Sequence, residues 1–112
     1  MKTRLVQVSV TAEHIRSGVR AGCEDCPVAL AINEHLQPPT LDPKWLGFLA
    51  SVWTSSVLIL DGMGDRLKGC RAIPLPADAY LFIGRFDSGA RDTLKPFTFP
   101  LRLPVDCLRE GS

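Results

Sequence analysis

The densest chemistry in this sequence is Cys23-Glu24-Asp25-Cys26. Thiols at CxxC spacing suit either a redox pair or part of a zinc site. At a helix N-terminus the helix dipole favours thiolate, so redox work is physically sensible there. Glu24 and Asp25 oppose it, because negative charge between the thiols raises their pKa values. A helix and loop ahead of the motif also interrupt the strand–CxxC–helix order of thiol–disulfide folds. A structural zinc site wants a second close pair, yet Cys70 and Cys107 stand singly and far along the chain. A site of Cys23, Cys26, Cys70 and Cys107, or one substituting His14 or His35, therefore depends on the fold gathering them. The packing reading leads: Cys26 starts a buried helix, Cys70 lies in a strand, and both serve as small apolar residues. No metal and no cofactor is expected.

The remaining chemistry-bearing residues read similarly. His14 falls at the third position of a helix capped by Thr11, where it can reach back to the cap. His35 lies on the inferred buried face of a second helix. Neither has a Ser or Cys in a recognisable nucleophile motif, so no catalytic residue is assigned and an enzyme is not expected. Gly62-Met63-Gly64-Asp65 is too short for a phosphate-binding loop. Asp87-Ser88-Gly89-Ala90-Arg91 reads first as a helix stop and turn. As a ligand or partner loop its polar anchors would be Asp87 and Arg91, with Arg85 beside them. Arg16, Arg20, Arg85, Arg91 and Lys95 together could form a basic patch for phosphate or an acidic partner. The aromatics Trp45, Phe48, Trp53, Tyr80, Phe82, Phe86, Phe97 and Phe99 are few enough that packing claims most of them. Trp45, beside a proline-rich loop, is the one expected to mark a contact surface.

These residues must be positioned by one small domain spanning 1–112. The chain has 112 residues, 46% of them hydrophobic and 22% charged, which fits a packed domain and not a disordered chain. Its 13 Lys and Arg against 12 Asp and Glu leave a net charge of +1. That lacks the electrostatic footprint of a general nucleic-acid binder. Met1-Lys2-Thr3-Arg4 is basic, but Leu5 to Val10 alternates apolar with polar where a secretory leader runs continuously apolar. No segment is long enough to span a membrane. The expected compartment is cytoplasmic, with reduced thiols.

Val6, Val8 and Val10 alternate with polar residues as a half-buried strand does. Thr11 caps a short helix through Ile15 that Ser17-Gly18 stops. A second helix opens at Asp25 or Cys26, with Pro27 at its first position, and runs to about Leu36. Its Val28, Ala31, Ile32 and His35 share a face. Prolines 38, 39 and 43 stiffen the following loop. Ser51 to Leu60 is β-rich and can break at Ser55-Ser56, and a turn at 61–65 returns a partner strand over Arg66 to Ile73. Leu75-Pro76-Ala77-Asp78 opens a third helix, lined by Tyr80, Leu81, Ile83 and Phe86 and ended by Gly89. Phe97 to Leu103 is a last strand, with Pro100 limiting it to an edge or facing it away from its neighbour. The order β-α-α-β(β)-β-α-β implies an α+β domain with a small, largely antiparallel sheet and about three short helices.

Val10-Thr11-Ala12-Glu13-His14-Ile15, then Gly18, then Cys26-Pro27-Val28-Ala29-Leu30-Ala31-Ile32 resembles a family of small uncharacterised proteins of bacteriophages and bacteria, mostly actinobacterial. Its loose pattern is VT-x-EHI-x-x-G…CP-x-ALAI, and Phe86-Asp87-Ser88-Gly89 followed by Pro96-Phe97-Thr98-Phe99 fits its C-terminal part. The resemblance implies a phage or prophage accessory gene acting in the host cytoplasm, and it implies no mechanism. The expectation is a non-enzymatic binding protein acting stoichiometrically on a host protein or small ligand, with homodimerisation compatible and counter-defence as one role. Its candidate contact residues are Trp45, Arg85, Asp87 and Arg91. The alternative is a cysteine-based zinc or thiol redox module.

Overall fold

A computed structural model of the chain describes residues 2–37, 47–53, 55–61 and 64–109. It is an α+β fold with antiparallel pairing throughout, in the order β1 (Thr3–Val10), α1 (Ala12–Ser17), α2 (Pro27–Asn33), β2 (Phe48–Val52), β3 (Ser56–Asp61), β4 (Ile73–Pro74), α3 (Ala77–Asp87) and β5 (Phe97–Pro104). Short 3-10 turns follow α3 at Arg91–Thr93 and β5 at Val105–Cys107. The strands form two sheets, not one. β1 pairs with β5 as a ribbon, and β2-β3-β4 forms the second sheet.

Alternation decides which face of the ribbon is buried. Val6, Val8 and Val10 from β1 meet Phe99, Leu101 and Leu103 from β5 on the core side, while Leu5, Gln7 and Ser9 face outward. α1 is held at its start by a complete capping box. The Thr11 hydroxyl accepts from the His14 amide at 3.3 Å, and His14 Nδ1 accepts from the Thr11 amide at 3.0 Å. An amide can only donate, so the neutral ring must carry its proton on Nε2, which faces Glu34 Oε1. α2 opens as its residues dictate: the Cys26 thiol accepts from the Ala29 amide, and Pro27 takes the first helical position. Pro27, Val28, Ala29, Ala31 and Ile32 are all buried.

Some expectations shift in detail. α2 ends at Asn33 and continues as turns, leaving His35 half-buried. The break at Ser55-Ser56 occurs, but the return from the turn is mostly irregular. Arg66 makes a single bridge to Leu60, and the regular strand is confined to Ile73–Pro74. Cys70 consequently sits in a loop following Gly69, whose φ is +77°, and not in a strand. Tyr80 and Leu81 do not line the core: α3 buries Ala79, Phe82, Ile83 and Phe86 instead.

The close approach of α1 to α2 rests on Gly18. A Cβ there would lie 2.5 Å from Pro27 Cδ and 2.8 Å from its nitrogen, contacts that only a backbone shift could relieve. Gly18→Ala should therefore destabilise the fold by about 1–3 kcal/mol. Urea unfolding checks this, and an unchanged midpoint would show that the two helices are not packed this closely.

Candidate functional site

α3 separates two depressions in the surface, and its sequence explains why. Ala79, Phe82, Ile83 and Phe86 follow the three-four spacing of a buried stripe. The other side carries Tyr80, Leu81, Gly84 and Arg85, all exposed. The buried stripe is braced by ring contacts running from Phe82 to Phe97 (4.8 Å between centroids) and from Phe97 to Phe99 (5.6 Å). Gly89, at φ +95°, closes the helix. Its amide bonds the Phe86 carbonyl and the Ala90 amide bonds the Arg85 carbonyl, so the last turn is satisfied internally.

The first depression, of about 240 Å³, lies between α3 and the loop preceding α2. Tyr80 and Gly84 form one wall, Trp53 another, and Cys23 and Cys26 lie along its inner side. Trp53 is 52% exposed and Tyr80 39%, both high for aromatic side chains in so small a domain. Gly84 is a notable residue for a helix interior, where glycine costs about 1 kcal/mol relative to alanine. Nothing within 4 Å would meet a Cβ at that position, so no packing within the described residues demands glycine.

Asp87 and Arg91 are engaged in building this groove. Ala21 adopts a left-handed conformation (φ 57°), and the Asp87 carboxylate holds it there by accepting its amide at 2.9 Å. Arg20 donates to the Asp87 carbonyl at 3.0 and 3.2 Å. Arg91 donates to the Gly18 carbonyl at 2.9 Å while its guanidinium lies 4.9 Å from the Phe86 ring centroid. The expected basic patch is thus divided. Arg20 and Arg91 tie the 18–22 loop to the end of α3, whereas Arg85 and Lys95 line the second depression.

That second depression is larger, about 430 Å³, and runs between α3 and the segment leading into β5. Leu81, Phe82 and Phe97 supply apolar wall, and Asp78, Arg85 and Lys95 supply charge. Trp45 lies outside the described residues. Leu81, 54% exposed, stands on the crest between the two depressions.

The cysteines do not converge. Among the described residues, no three His, Cys, Asp or Glu side chains gather where a metal ion could be held. All four thiols are free: Cys23 and Cys70 half-buried, Cys26 and Cys107 buried. Burial raises the Cys26 thiol pKa, and the amides of Ala29 and Val28 offset part of that rise. Burial chiefly, with Cys70 and Asp106 adding, raises Cys107 to about 11. Burial likewise lowers His35.

The scarcity of aromatics assigns most of them to packing, Tyr80 among them, and gives Gly84 no role, whereas Trp53 and Tyr80 both stand exposed. The signal was available in the spacing of α3, because a stripe through Ala79, Phe82, Ile83 and Phe86 leaves Tyr80 and Leu81 outside it. No family model, no curated protein and no solved structure matches the chain.

Cys107 gives the fold a dependence on alkaline pH. The unfolded chain releases this proton near the ordinary value of 9.0, and the folded chain holds it to about 11. Between those values the unfolded state binds fewer protons, so stability falls as pH rises through the window. Cys107→Ala should flatten that decline, as read from urea midpoints on either side of the window. An equal decline in the variant would place its origin elsewhere.

Proposed function

We propose that this chain is a non-enzymatic binding protein that grips one partner protein across the outer side of α3. In the phage setting of the resemblance, that partner is a host protein. The observation that carries the reading is the grouping of exposed Trp53 and Tyr80 around an open groove walled by Gly84, with Leu81 on the crest beside it. Large aromatic anchors provide much of the binding energy of protein interfaces, because each removes a wide apolar area from water while losing few rotatable bonds. Gly84 lets a partner approach the helix backbone closely. Arg85 and Lys95, which have no acidic partner among the described residues, offer charge to an acidic group at the rim.

The polar groups most suited to chemistry support binding over catalysis, since they are occupied in holding the fold. Both ring nitrogens of His14 are engaged, the Cys26 thiol caps α2, and Asp87 and Arg91 fasten the 18–22 loop. The whole site is then a shaped, preorganised surface.

A photo-cross-linking amino acid at position 80 or 53, introduced in the host cell, should give one discrete adduct of the same partner from both positions. The same group at exposed Lys68 should not give it. Adducts that are diffuse, absent, or equally strong from position 68 would contradict a partner seated on α3.

A further inference from the structure

Among the described residues β1 carries an open hydrogen-bonding edge, and its ladder with β5 determines which groups face outward. The register pairs Thr3 with Pro104 and Val10 with Phe97, and just beyond it the Val105 amide donates to the Lys2 carbonyl at 2.9 Å. In an antiparallel pair, opposed residues alternate between those that exchange both main-chain bonds and those that exchange none. Lys2 and Val105 are a bonding pair. The bonding pairs within the ribbon are therefore Arg4–Leu103, Val6–Leu101, Val8–Phe99 and Val10–Phe97. The amides and carbonyls of Thr3, Leu5, Gln7 and Ser9 point away from β5, and no backbone group among the described residues meets them.

The two outer edges of the ribbon are protected unequally. On β5 the outward positions are Thr98, Pro100, Arg102 and Pro104, so two of them have no amide to offer. Prolines so placed blunt an edge without harming the ladder behind it. β1 has no proline, and its outward residues alternate donors with acceptors along the strand. In the other sheet the β2 edge is covered, the amides of Phe48, Ala50 and Val52 bonding Gln37 O, Asn33 Oδ1 and Cys23 O, and β4 at the opposite edge has only two residues. Among the described residues, β1 is the long edge left ready to pair.

We infer that β1 pairs antiparallel with β1 of a second copy of this chain, joining two ribbons into one continuous sheet across a twofold axis. A register centred on Val6 sets Thr3 against Ser9 of the second copy and Leu5 against its Gln7, so every outward amide and carbonyl finds a partner. An identical strand fits for two reasons. The cations Lys2 and Arg4 sit at one end, and this register places them opposite uncharged Val10 and Val8, which keeps like charges apart. Val6 meets its own copy at the centre, so the apolar side of each ribbon continues into the other. Such an isologous contact is self-complementary by symmetry. Thr3, Leu5, Gln7 and Ser9 line neither depression along α3, so the dimer and the proposed partner surface are tested separately.

Sedimentation equilibrium and amide hydrogen exchange of the full chain test the inference, using Gln7→Pro and Leu5→Glu. The Gln7 amide faces outward, so proline there leaves the β1–β5 bonding pairs in place, and Leu5→Glu sets an exposed carboxylate opposite Arg102 within the ribbon while bringing it near its own copy across the twofold axis. The native chain should sediment at twice the single-chain mass at high micromolar concentration, with the amides of Leu5, Gln7 and Ser9 as protected as those of Val6 and Val8. Each variant should weaken self-association by more than about tenfold and restore a period-two alternation of protection. A native chain that stays monomeric, with Leu5, Gln7 and Ser9 exchanging fast, would overturn the inference. So would a dimer that neither variant weakens. An edge reserved for a foreign strand would give the monomeric result.

Discussion

Everything in this fold leans on the burial of α2. The two sheets share no ladder among the described residues, and α2 packs against β1, β2, α1 and α3. Five of its seven residues are buried, including the proline that starts it. It also settles the backbone of its surroundings. Asn33 at its end accepts the Ala50 amide, and Cys23 and Gln37 on the flanking segments accept those of Val52 and Phe48. A helix this short is marginal by itself in water, so its stability must come from the apolar faces closing round it. α3 closes the rest of the core, with Phe82 against Phe97 of β5.

From that centre the route to the candidate site is short. The loop entering α2 is fixed at its far end by Arg20, Asp87 and Arg91, which tie it to α3 and its following turn. Cys23 and Cys26 are carried into the groove wall by the same loop. Core packing thereby positions the outer side of α3 relative to Trp53, which extends from the end of β2. The surface is preorganised because the residues beneath it are committed to the fold, which would lower the ordering cost of the binding proposed for it.

How much of this was legible in the residues depended on whether the signal was local. Thr11 with His14, Cys26 with Pro27, and Gly89 are short-range devices, and each appears where its type and spacing place it. The alternation of β1 and β5 likewise gives their buried faces, and the element order follows. The division into two sheets was not legible, because it depends on which strand ends meet across long separations. The irregular path from Arg66 to Ala72 was hidden for a similar reason: a β-compatible composition does not secure a ladder. The site was obscured by a different assumption, that scarce aromatics must be buried. Trp53 and Tyr80 break it, and the loop residues that looked most like ligand anchors, Asp87 and Arg91, are taken up by backbone groups.

In the proposed reading, Gly84 joins stability to partner binding in one position. The helix bears the cost of an interior glycine although a methyl group there would touch nothing in the described protein. If the groove is kept open for a partner, Gly84→Ala should raise the melting temperature by a few degrees, from about 1 kcal/mol of helix propensity, while weakening binding to the cross-linked partner. A variant that is more stable and binds that partner with unchanged affinity would contradict the account, since the open space beside Tyr80 and Trp53 would then have no occupant.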